Sequence, residues 1–201
     1  MGATLRTLLL CGGRSSRFGS DKLMAELAIG RMILPMAAWA ARRAVQGTGN
    51  ALAVIPPRSA ALRAALEESG CEILESAATE RGLGASLAAG VANSRDAQGW
   101  LVALGDMPFI DAATFRSVAE ALLGGALIAA PVFRPTNARG HPVGFAKSLR
   151  DELLVLDGDE GARSVIARHR DRVASIPVDD RGIVVDIDTP DDFDAATQAQ
   201  L

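Results

Sequence analysis

The sequence predicts one α/β domain in which a mostly parallel sheet is covered by helices on both faces. Short, continuously apolar runs alternate with longer Ala/Leu-rich segments of helical period, the order expected of a strand–helix–strand fold. The apolar runs lack polar–apolar alternation, so both faces of the sheet are expected to be buried. With 201 residues, 49% of them hydrophobic, the chain can bury one sizeable core.

Each expected element is bounded by a change of pattern or by glycine and proline. Strands are expected at Thr4–Leu10, Ala51–Ile55, Cys71–Leu74, Trp100–Leu104, Leu127–Val132, Val173–Ile176 and Ile183–Val185. Helices are expected at Pro35–Val45, Ser59–Ser69, Leu83–Ser94, Ala112–Leu123, Lys147–Leu154 and Glu160–His169, and a last one opens at Thr189-Pro190. Asp111 is the expected N-cap of the helix that begins at Ala112. Ligands of such sheets bind beyond the carboxyl ends of the strands, which directs attention to the loops there.

Composition and charge exclude several classes of protein. The 21 basic and 24 acidic residues give a net charge of −3, which argues against a broad nucleic-acid-binding surface. Aromatic residues make up 4% of the chain, too few for base-stacking platforms. Cys11 and Cys71 are too far apart in sequence for a metal motif, and we expect a reducing, cytoplasmic location. The N-terminal apolar run is far too short to span a bilayer, so no membrane partner is expected.

The loop after the first expected strand is the most informative part of the sequence. It reads Cys11-Gly12-Gly13-Arg14-Ser15-Ser16-Arg17-Phe18-Gly19-Ser20-Asp21-Lys22. Its glycines let backbone N–H groups turn toward an anion, and its cationic side chains, including one of only two lysines, can hold a triphosphate. Neither the Walker pattern nor the Rossmann pattern fits. On its chemistry alone, the stretch is either a phosphate-binding loop or a Gly/Ser-rich connector.

Two further loops carry candidate ligands for a nucleotide and a cation. Arg81, Gly84 and Ser86 lie around the start of a helix, which suits a nucleotide but equally suits a plain glycine-rich helix start. Asp106 ends a fully apolar strand in the Gly-Asp-Met-Pro turn, and Mg²⁺ takes one or two carboxylates beside phosphate oxygens.

The C-terminal Asp186-Ile187-Asp188 is a second acidic element. If it is extended, its two carboxylates share one face and can share a cation. The alternative is that Asp188 or Thr189 caps the last helix while Asp186 is exposed.

Two segments in the second half of the chain are candidates for contact with a second substrate. Gly140-His141 holds one of only two histidines, although an isolated histidine is more often structural than catalytic. The segment 158–163 ends in Arg163 and leads into a helix, and an ordinary capped helix start explains it equally well.

The first loop resembles the GGxxxRMGxDK signature of pyrophosphorylase-type nucleotidyltransferases, particularly the molybdenum cofactor guanylyl- and cytidylyltransferases. GDMP, DIDTPDD, GHPV and GDEGAR are similar to further segments of that family. The resemblance runs from Leu8 to about Asp192. It implies a Rossmann-like, glycosyltransferase-A-like architecture over residues 1–201, in which 1–110 bind the NTP and 111–201 bind the acceptor.

The resemblance also implies a role for each candidate residue. The catalytic residues would be Lys22, Arg17 and Asp106. The nucleotide would be bound by Cys11, Gly12, Gly13, Arg14, Ser15, Lys22, Arg81, Gly84 and Ser86. Mg²⁺ would be bound by Asp106 and Asp188, and the acceptor by His141, Gly140, Arg163 and Asp186.

The implied reaction joins a nucleoside monophosphate to the terminal phosphate of molybdopterin, with a molybdoenzyme or its chaperone as the recipient. GHPV and GDEGAR favour CTP, whereas the Cys11-Gly12-Gly13 sequence is closer to the guanylyl form, so GTP stays an alternative. Other small-molecule phosphate nucleotidyltransferases and a non-catalytic cofactor carrier are the remaining alternatives.

Overall fold

The computed structural model describes residues 4–12, 22–187, 189 and 192. Its strands are β1 Arg6–Leu10, β2 Glu26–Ile29, β3 Met32–Pro35, β4 Leu52–Ile55, β5 Glu72–Glu75, β6 Gly99–Leu104, β7 Ile128–Phe133, β8 Ala138–Arg139, β9 Val143–Ala146 and β10 Val173–Val178. Its α-helices are α1 Met36–Thr48, α2 Ala60–Glu68, α3 Leu83–Asn93, α4 Ala112–Leu123, α5 Arg150–Leu154 and α6 Arg163–Arg168. None of these helices is long and apolar enough to cross a membrane.

The central sheet has eight strands and is mostly parallel. Its order is β10-β7-β9-β6-β1-β4-β5, with β8 paired to β7. β1 pairs in parallel with both β4 and β6, so their carboxyl ends meet at one edge of the sheet. β9 runs antiparallel between β6 and β7. The first loop and the Gly105–Pro108 turn therefore leave the sheet side by side.

Helices cover both faces of the sheet, as the sequence predicts. Alternate residues of β1 point to opposite faces: Leu8 packs in one core with α3, α5 and α6, and Leu9 packs in the other with α1, α2 and α4. Both leucines are fully buried. The continuous apolar pattern of the strand is thus explained by burial on two sides.

A β-hairpin and one turn differ from the sequence expectations. β2 and β3 form a separate two-stranded antiparallel sheet, which no predicted element covered. The sequence indicates this hairpin by two apolar runs on either side of Gly30-Arg31, and Gly30 adopts a φ of +61° in the turn. The predicted strand Ile183–Val185 is wrong, because Arg181–Val184 form a 3₁₀ turn. Gly182 in that turn packs directly on the backbone of Phe109, and the Val185 N–H donates back to the Gly182 carbonyl within the turn.

The N-terminus of α4 is capped by a residue far away in sequence. Asp111 occupies the N-cap position, as the sequence predicts, but its side chain makes no capping hydrogen bond. The Asp180 carboxylate instead accepts hydrogen bonds from the Asp111 backbone N–H (2.8 Å) and from the Thr114 hydroxyl (2.7 Å). This cap ties the C-terminal segment to the helix that follows the Gly105–Pro108 turn.

Candidate functional site

An ion pair between Lys22 and Asp106 lies at the carboxyl edge of the sheet. Asp106 follows β6, and Lys22 begins a 3₁₀ turn directly after the first loop. The Lys22 Nζ atom lies 2.9 Å from Asp106 Oδ2, with the two side chains 9% and 25% exposed. The fold thus brings the lysine of the glycine-rich stretch onto the carboxylate of the Gly-Asp-Met-Pro turn.

The second carboxylate oxygen of Asp106 is suited to a cation. Asp106 Oδ1 is buried and accepts no hydrogen bond from any described residue. A buried carboxylate oxygen without a donor is costly, and a hard divalent cation is a ligand that would satisfy it. Within the described part of the chain no three His, Cys, Asp or Glu side chains form a closed metal site. A cation held here would therefore take most of its ligands from phosphate oxygens and water.

The end of the described C-terminal segment reaches Asp106. The Ile187 N–H donates to the Asp106 backbone carbonyl over 3.3 Å. Ile187 is fully buried and Asp186 is exposed, which matches the alternation that the sequence predicts. Asp188, the predicted second metal ligand, lies outside the described residues. Thr189 exchanges hydrogen bonds with Asp192 in a capping-box pattern, so the alternative that Thr189 acts as a cap fits the structure.

Gly12 packs against the loop that precedes α3. A methyl group at Gly12 would lie 2.8 Å from Thr79 Cβ and 3.1 Å from Ser86 Oγ, so the two loops touch at this point. Ser86 is fully buried, and its hydroxyl donates to the Gly82 carbonyl over 2.9 Å. The two loops predicted to hold the nucleotide therefore meet. The Ser86 hydroxyl already donates its hydrogen bond within the protein.

Cys11 supports the first loop from within the core. Its N–H donates to the Val54 carbonyl over 3.0 Å, and its sulfur packs against Gly105. Burial raises the pKa of the Cys11 thiol well above its usual value, so the side chain is a neutral part of the core. A nucleotide contact by Cys11 would have to use its backbone carbonyl.

The start of α3 is joined to the segment that precedes α6. The Gly84 N–H donates to the Gly158 carbonyl over 2.7 Å, and a methyl group at Gly84 would lie 2.6 Å from the Asp157 carbonyl oxygen. Arg81 Nε lies 3.1 Å from Asp157 Oδ1 in an exposed ion pair. Gly84 and Arg81 thus join the start of α3, where the nucleotide is predicted to bind, to the segment before α6, where the acceptor is predicted to bind.

His141 is oriented by the backbone of β6. Its Nδ1 lies 3.2 Å from the Val102 carbonyl, and because a carbonyl only accepts, Nδ1 carries the proton and Nε2 is an acceptor. Burial lowers the pKa of His141, and the charges of Asp106 and Asp186 partly oppose this effect. The imidazole is therefore neutral at pH 7. Its neighbour Gly140 packs directly on the Ile183 carbonyl, which makes Gly140 a packing position.

A cavity of about 160 Å³ lies between the sheet, α3 and α6, and we call it the α3–α6 cavity. Its inner walls are largely aliphatic, and Leu83 and Leu87 of α3 contribute to them. Its polar lining comes from His141, Arg163 and the segment 159–161. The structure thus brings two of the predicted acceptor residues to one cavity.

Of the sixteen predicted site residues, Cys11, Gly84 and Gly140 are packing positions, Arg81 forms an exposed ion pair and Asp186 is exposed. The other eleven divide into three groups. Gly12, Lys22, Ser86 and Asp106 converge at the sheet edge, and His141 and Arg163 line the α3–α6 cavity. Five lie outside the described residues: Gly13, Arg14, Ser15, Arg17 and Asp188. Sequence reasoning missed Leu83, Leu87 and Asp157, which carry no local signal because an aliphatic wall or a loop partner is defined only by long-range packing.

Comparisons with known proteins identify a family and several solved structures of similar fold. A family model described as the MobA-like NTP transferase domain matches residues 7–173. Among proteins with curated descriptions, none matches the chain.

Three solved structures illustrate the similarity of the fold. Rv0371c from Mycobacterium tuberculosis H37Rv is 26% identical, with a TM-score of 0.81 over 98% of this chain and 100% of that chain. A complex of Rv0371c with manganese aligns at 22% identity and a TM-score of 0.78, over 98% and 99%. Molybdopterin-guanine dinucleotide biosynthesis protein A from Archaeoglobus fulgidus is 19% identical, with a TM-score of 0.68 over 96% and 97%.

Proposed function

The chain belongs to the family of MobA-like NTP transferase domains and is a nucleotidyltransferase, and we propose that its acceptor is the terminal phosphate of molybdopterin. In this proposal the nucleotide is CTP, the acceptor carries molybdenum, and the second product is pyrophosphate. The modified cofactor would then pass to a molybdoenzyme or its chaperone. The Archaeoglobus fulgidus neighbour, which is named for a molybdopterin dinucleotide, supports this class of acceptor.

The observation that carries the proposal is the Lys22–Asp106 pair. A buried ammonium 2.9 Å from a carboxylate, next to the end of a glycine-rich loop, offers a positive charge for a triphosphate and a negative one for its cation. The Lys22 ammonium is compact and strongly hydrated in water, so its burial carries a desolvation penalty. An anionic ligand beside the ammonium would help Asp106 to offset that penalty. Arg17 would add a second positive charge from the same loop.

We propose that Asp106 and Asp188 hold Mg²⁺. The unsatisfied Asp106 Oδ1 fits a hard cation, and the manganese complex of Rv0371c supports a divalent one. When bound, such an ion neutralises phosphate charge and polarises the α-phosphate. Asp106 lies two residues after the end of β6, which holds the carboxylate at the edge of the sheet.

The reaction needs no covalent enzyme intermediate. An acceptor phosphate oxygen forms a bond to the α-phosphorus, the bond from this phosphorus to the bridging oxygen breaks, and pyrophosphate leaves with the electron pair. The acceptor phosphate is already mostly ionised near neutral pH, so a general base is unnecessary. We therefore assign His141 to binding the acceptor and not to deprotonating it. The role of Lys22 is alignment and charge neutralisation.

The choice of nucleotide rests on sequence segments. The GHPV segment that includes His141 and the GDEGAR segment that ends at Arg163 favour CTP, and both line or flank the α3–α6 cavity. GTP is the second candidate, because the Cys11-Gly12-Gly13 form of the first loop resembles that of guanylyl enzymes.

The test is pyrophosphate release with each NTP, each candidate acceptor and Mg²⁺ or Mn²⁺. We expect release with molybdopterin and CTP, loss of release on chelation, and recovery when either cation is restored. Asp106→Asn should lower kcat by roughly a thousandfold. Asp179→Asn, at an exposed carboxylate of the surface Arg134–Asp179 pair, is the matched control.

Three outcomes would contradict parts of the proposal. Release with a sugar phosphate or methylerythritol phosphate but not with molybdopterin would replace the acceptor. Faster release from GTP than from CTP would replace the nucleotide. Tight binding of NTP and cofactor without any release would identify a carrier.

A further inference from the structure

The Lys22–Asp106 ion pair places a positive charge on the same carboxylate that is suited to a cation. Lys22 Nζ lies 2.9 Å from Asp106 Oδ2, and the lysine side chain is 9% exposed. Asp106 Oδ1 is also buried and accepts no hydrogen bond from any described residue. A cation bound to this carboxylate would therefore lie beside the ammonium, whichever of the two oxygens it used.

The repulsion between this ammonium and a divalent cation is only weakly screened by water. Both side chains of the pair are largely buried, and charges in such a setting interact more strongly than charges on the surface. In the proposed function Asp106 and Asp188 present two negative charges to the cation, and Lys22 cancels one of them. The protein alone thus attracts a divalent cation less strongly than its carboxylates would without the lysine.

A triphosphate changes this balance in two ways. It brings several negative charges and further oxygen ligands for the cation. It also gives the Lys22 ammonium a second anionic partner, so that the lysine can contact phosphate while the cation contacts Asp106. Leu23, the next residue along the chain, packs close to Gly105, which fixes the backbone beside the turn. The Lys22 side chain is therefore the part that exchanges one anionic partner for the other.

We propose that Lys22 competes with the divalent cation for Asp106 and so makes tight binding of the cation depend on the triphosphate. The proposal rests on the proposed function, since it takes Asp106 as a ligand of the cation. It assigns Lys22 a role before the acceptor binds, in addition to charge neutralisation during the reaction. By linkage, the cation strengthens triphosphate binding by the same factor by which the triphosphate strengthens cation binding.

The experiment measures Mn²⁺ binding without nucleotide or acceptor, from the electron paramagnetic resonance signal of free Mn²⁺. Lys22→Met removes the charge and should bind Mn²⁺ at least about tenfold more tightly than the wild type. Lys22→Arg keeps the charge and should bind Mn²⁺ within about threefold of the wild type. Lys147→Met is the matched control, because Lys147 is the other lysine of the chain and is exposed, and it should leave the Mn²⁺ affinity unchanged.

Two further measurements identify the site and the coupling. Adding Asp106→Asn to Lys22→Met should abolish the gain in Mn²⁺ affinity, which assigns the gain to this carboxylate. The α,β-methylene analogues of CTP and GTP cannot transfer their nucleotide and serve as triphosphate probes in calorimetry, corrected for the Mn²⁺ that they bind in solution. Mn²⁺ should strengthen binding of at least one analogue about tenfold more in the wild type than in Lys22→Met. Lys22→Gln takes the place of Lys22→Met if the methionine variant is unfolded at the temperature of measurement.

Several results would overturn the proposal: no gain in Mn²⁺ affinity in Lys22→Met or Lys22→Gln, an equal gain in Lys22→Arg, a gain that survives Asp106→Asn, or an equal effect of Mn²⁺ on analogue binding with and without the lysine. These results are distinct from failure of the proposed function, which is the absence of pyrophosphate release from molybdopterin with every NTP. Tighter Mn²⁺ binding by Lys22→Met without such release would retain the competition and remove the proposed reaction.

Discussion

Replacing Lys22 by methionine and Asp106 by asparagine, singly and together, tests whether the two charges are coupled as the structure indicates. At 2.9 Å the Coulomb attraction is about 6 kcal/mol for an effective dielectric constant of 20. Desolvation of two largely buried ions opposes most of this attraction. Each single variant leaves one charge without this partner and should lose about 3 kcal/mol of unfolding free energy.

The double variant should be less destabilised than the sum of the single ones. Because neither charge remains, the coupling free energy should be about 1 to 3 kcal/mol. Each single variant should melt about 6 to 12 °C below the wild type, given 2 to 4 °C per kcal/mol for a chain of this size.

Urea and thermal unfolding with a chelator present supply the four free energies of the cycle. The exposed Arg134–Asp179 pair is the matched control, and its coupling should stay within about 1 kcal/mol. Additivity within 0.5 kcal/mol at Lys22 and Asp106 would refute the reasoning. Activity supplies an independent readout, because the double variant should be less destabilised than additivity predicts but should not regain turnover.

Three further outcomes are expected. Asp180→Ala removes both hydrogen bonds at the start of α4 and the one from the Gly182 N–H, and it should cost about 1 to 2 kcal/mol in urea unfolding. Asp179→Ala should change little, and equal effects of the two variants would exclude a stabilising role of the Asp180 carboxylate. Gly84→Ala places a methyl group 2.6 Å from a backbone carbonyl and should cost about 1 to 3 kcal/mol, so an unchanged melting temperature would show that the two loops separate easily. Hydrogen bonds from His169 and then Arg168 lower the pKa of Glu152 below 4.5, so its stabilisation is present above that pH and is lost as the pH falls through the folded pKa. Glu152→Gln should therefore flatten the stability curve at acidic pH, and an unaltered curve would contradict this.

Much of the fold follows from local pattern. α4 spans Ala112–Leu123 as expected, and β4, β5, β6 and α3 agree to within one residue at each end. These elements carry their own signals, because apolar period and glycine or proline boundaries are properties of neighbouring residues. The prediction of a strand at Ile183–Val185 is wrong because a short apolar run also suits a buried turn, and Asp180 holds such a turn here.

The site was predictable as a set of residue types but not as an arrangement. The residue types and spacing of the Gly-Asp-Met-Pro turn and of the first loop indicate phosphate and metal binding. The contact between Lys22 and Asp106 depends on β1 and β6 being neighbours in the sheet. The α3–α6 cavity likewise depends on how two helices pack against β9, which no local pattern specifies.

The sequence by itself determined the layered α/β class, the carboxylate at the end of β6 and the lysine at the end of the first loop, because each depends on short-range order along the chain. Tertiary structure alone decided the antiparallel insertion of β9, the capping of α4 by Asp180 and the junction of Gly84 with Gly158. These features join residues about 40 to 75 positions apart. Their free energy comes from close packing and hydrogen bonds that exist only when the whole core has formed.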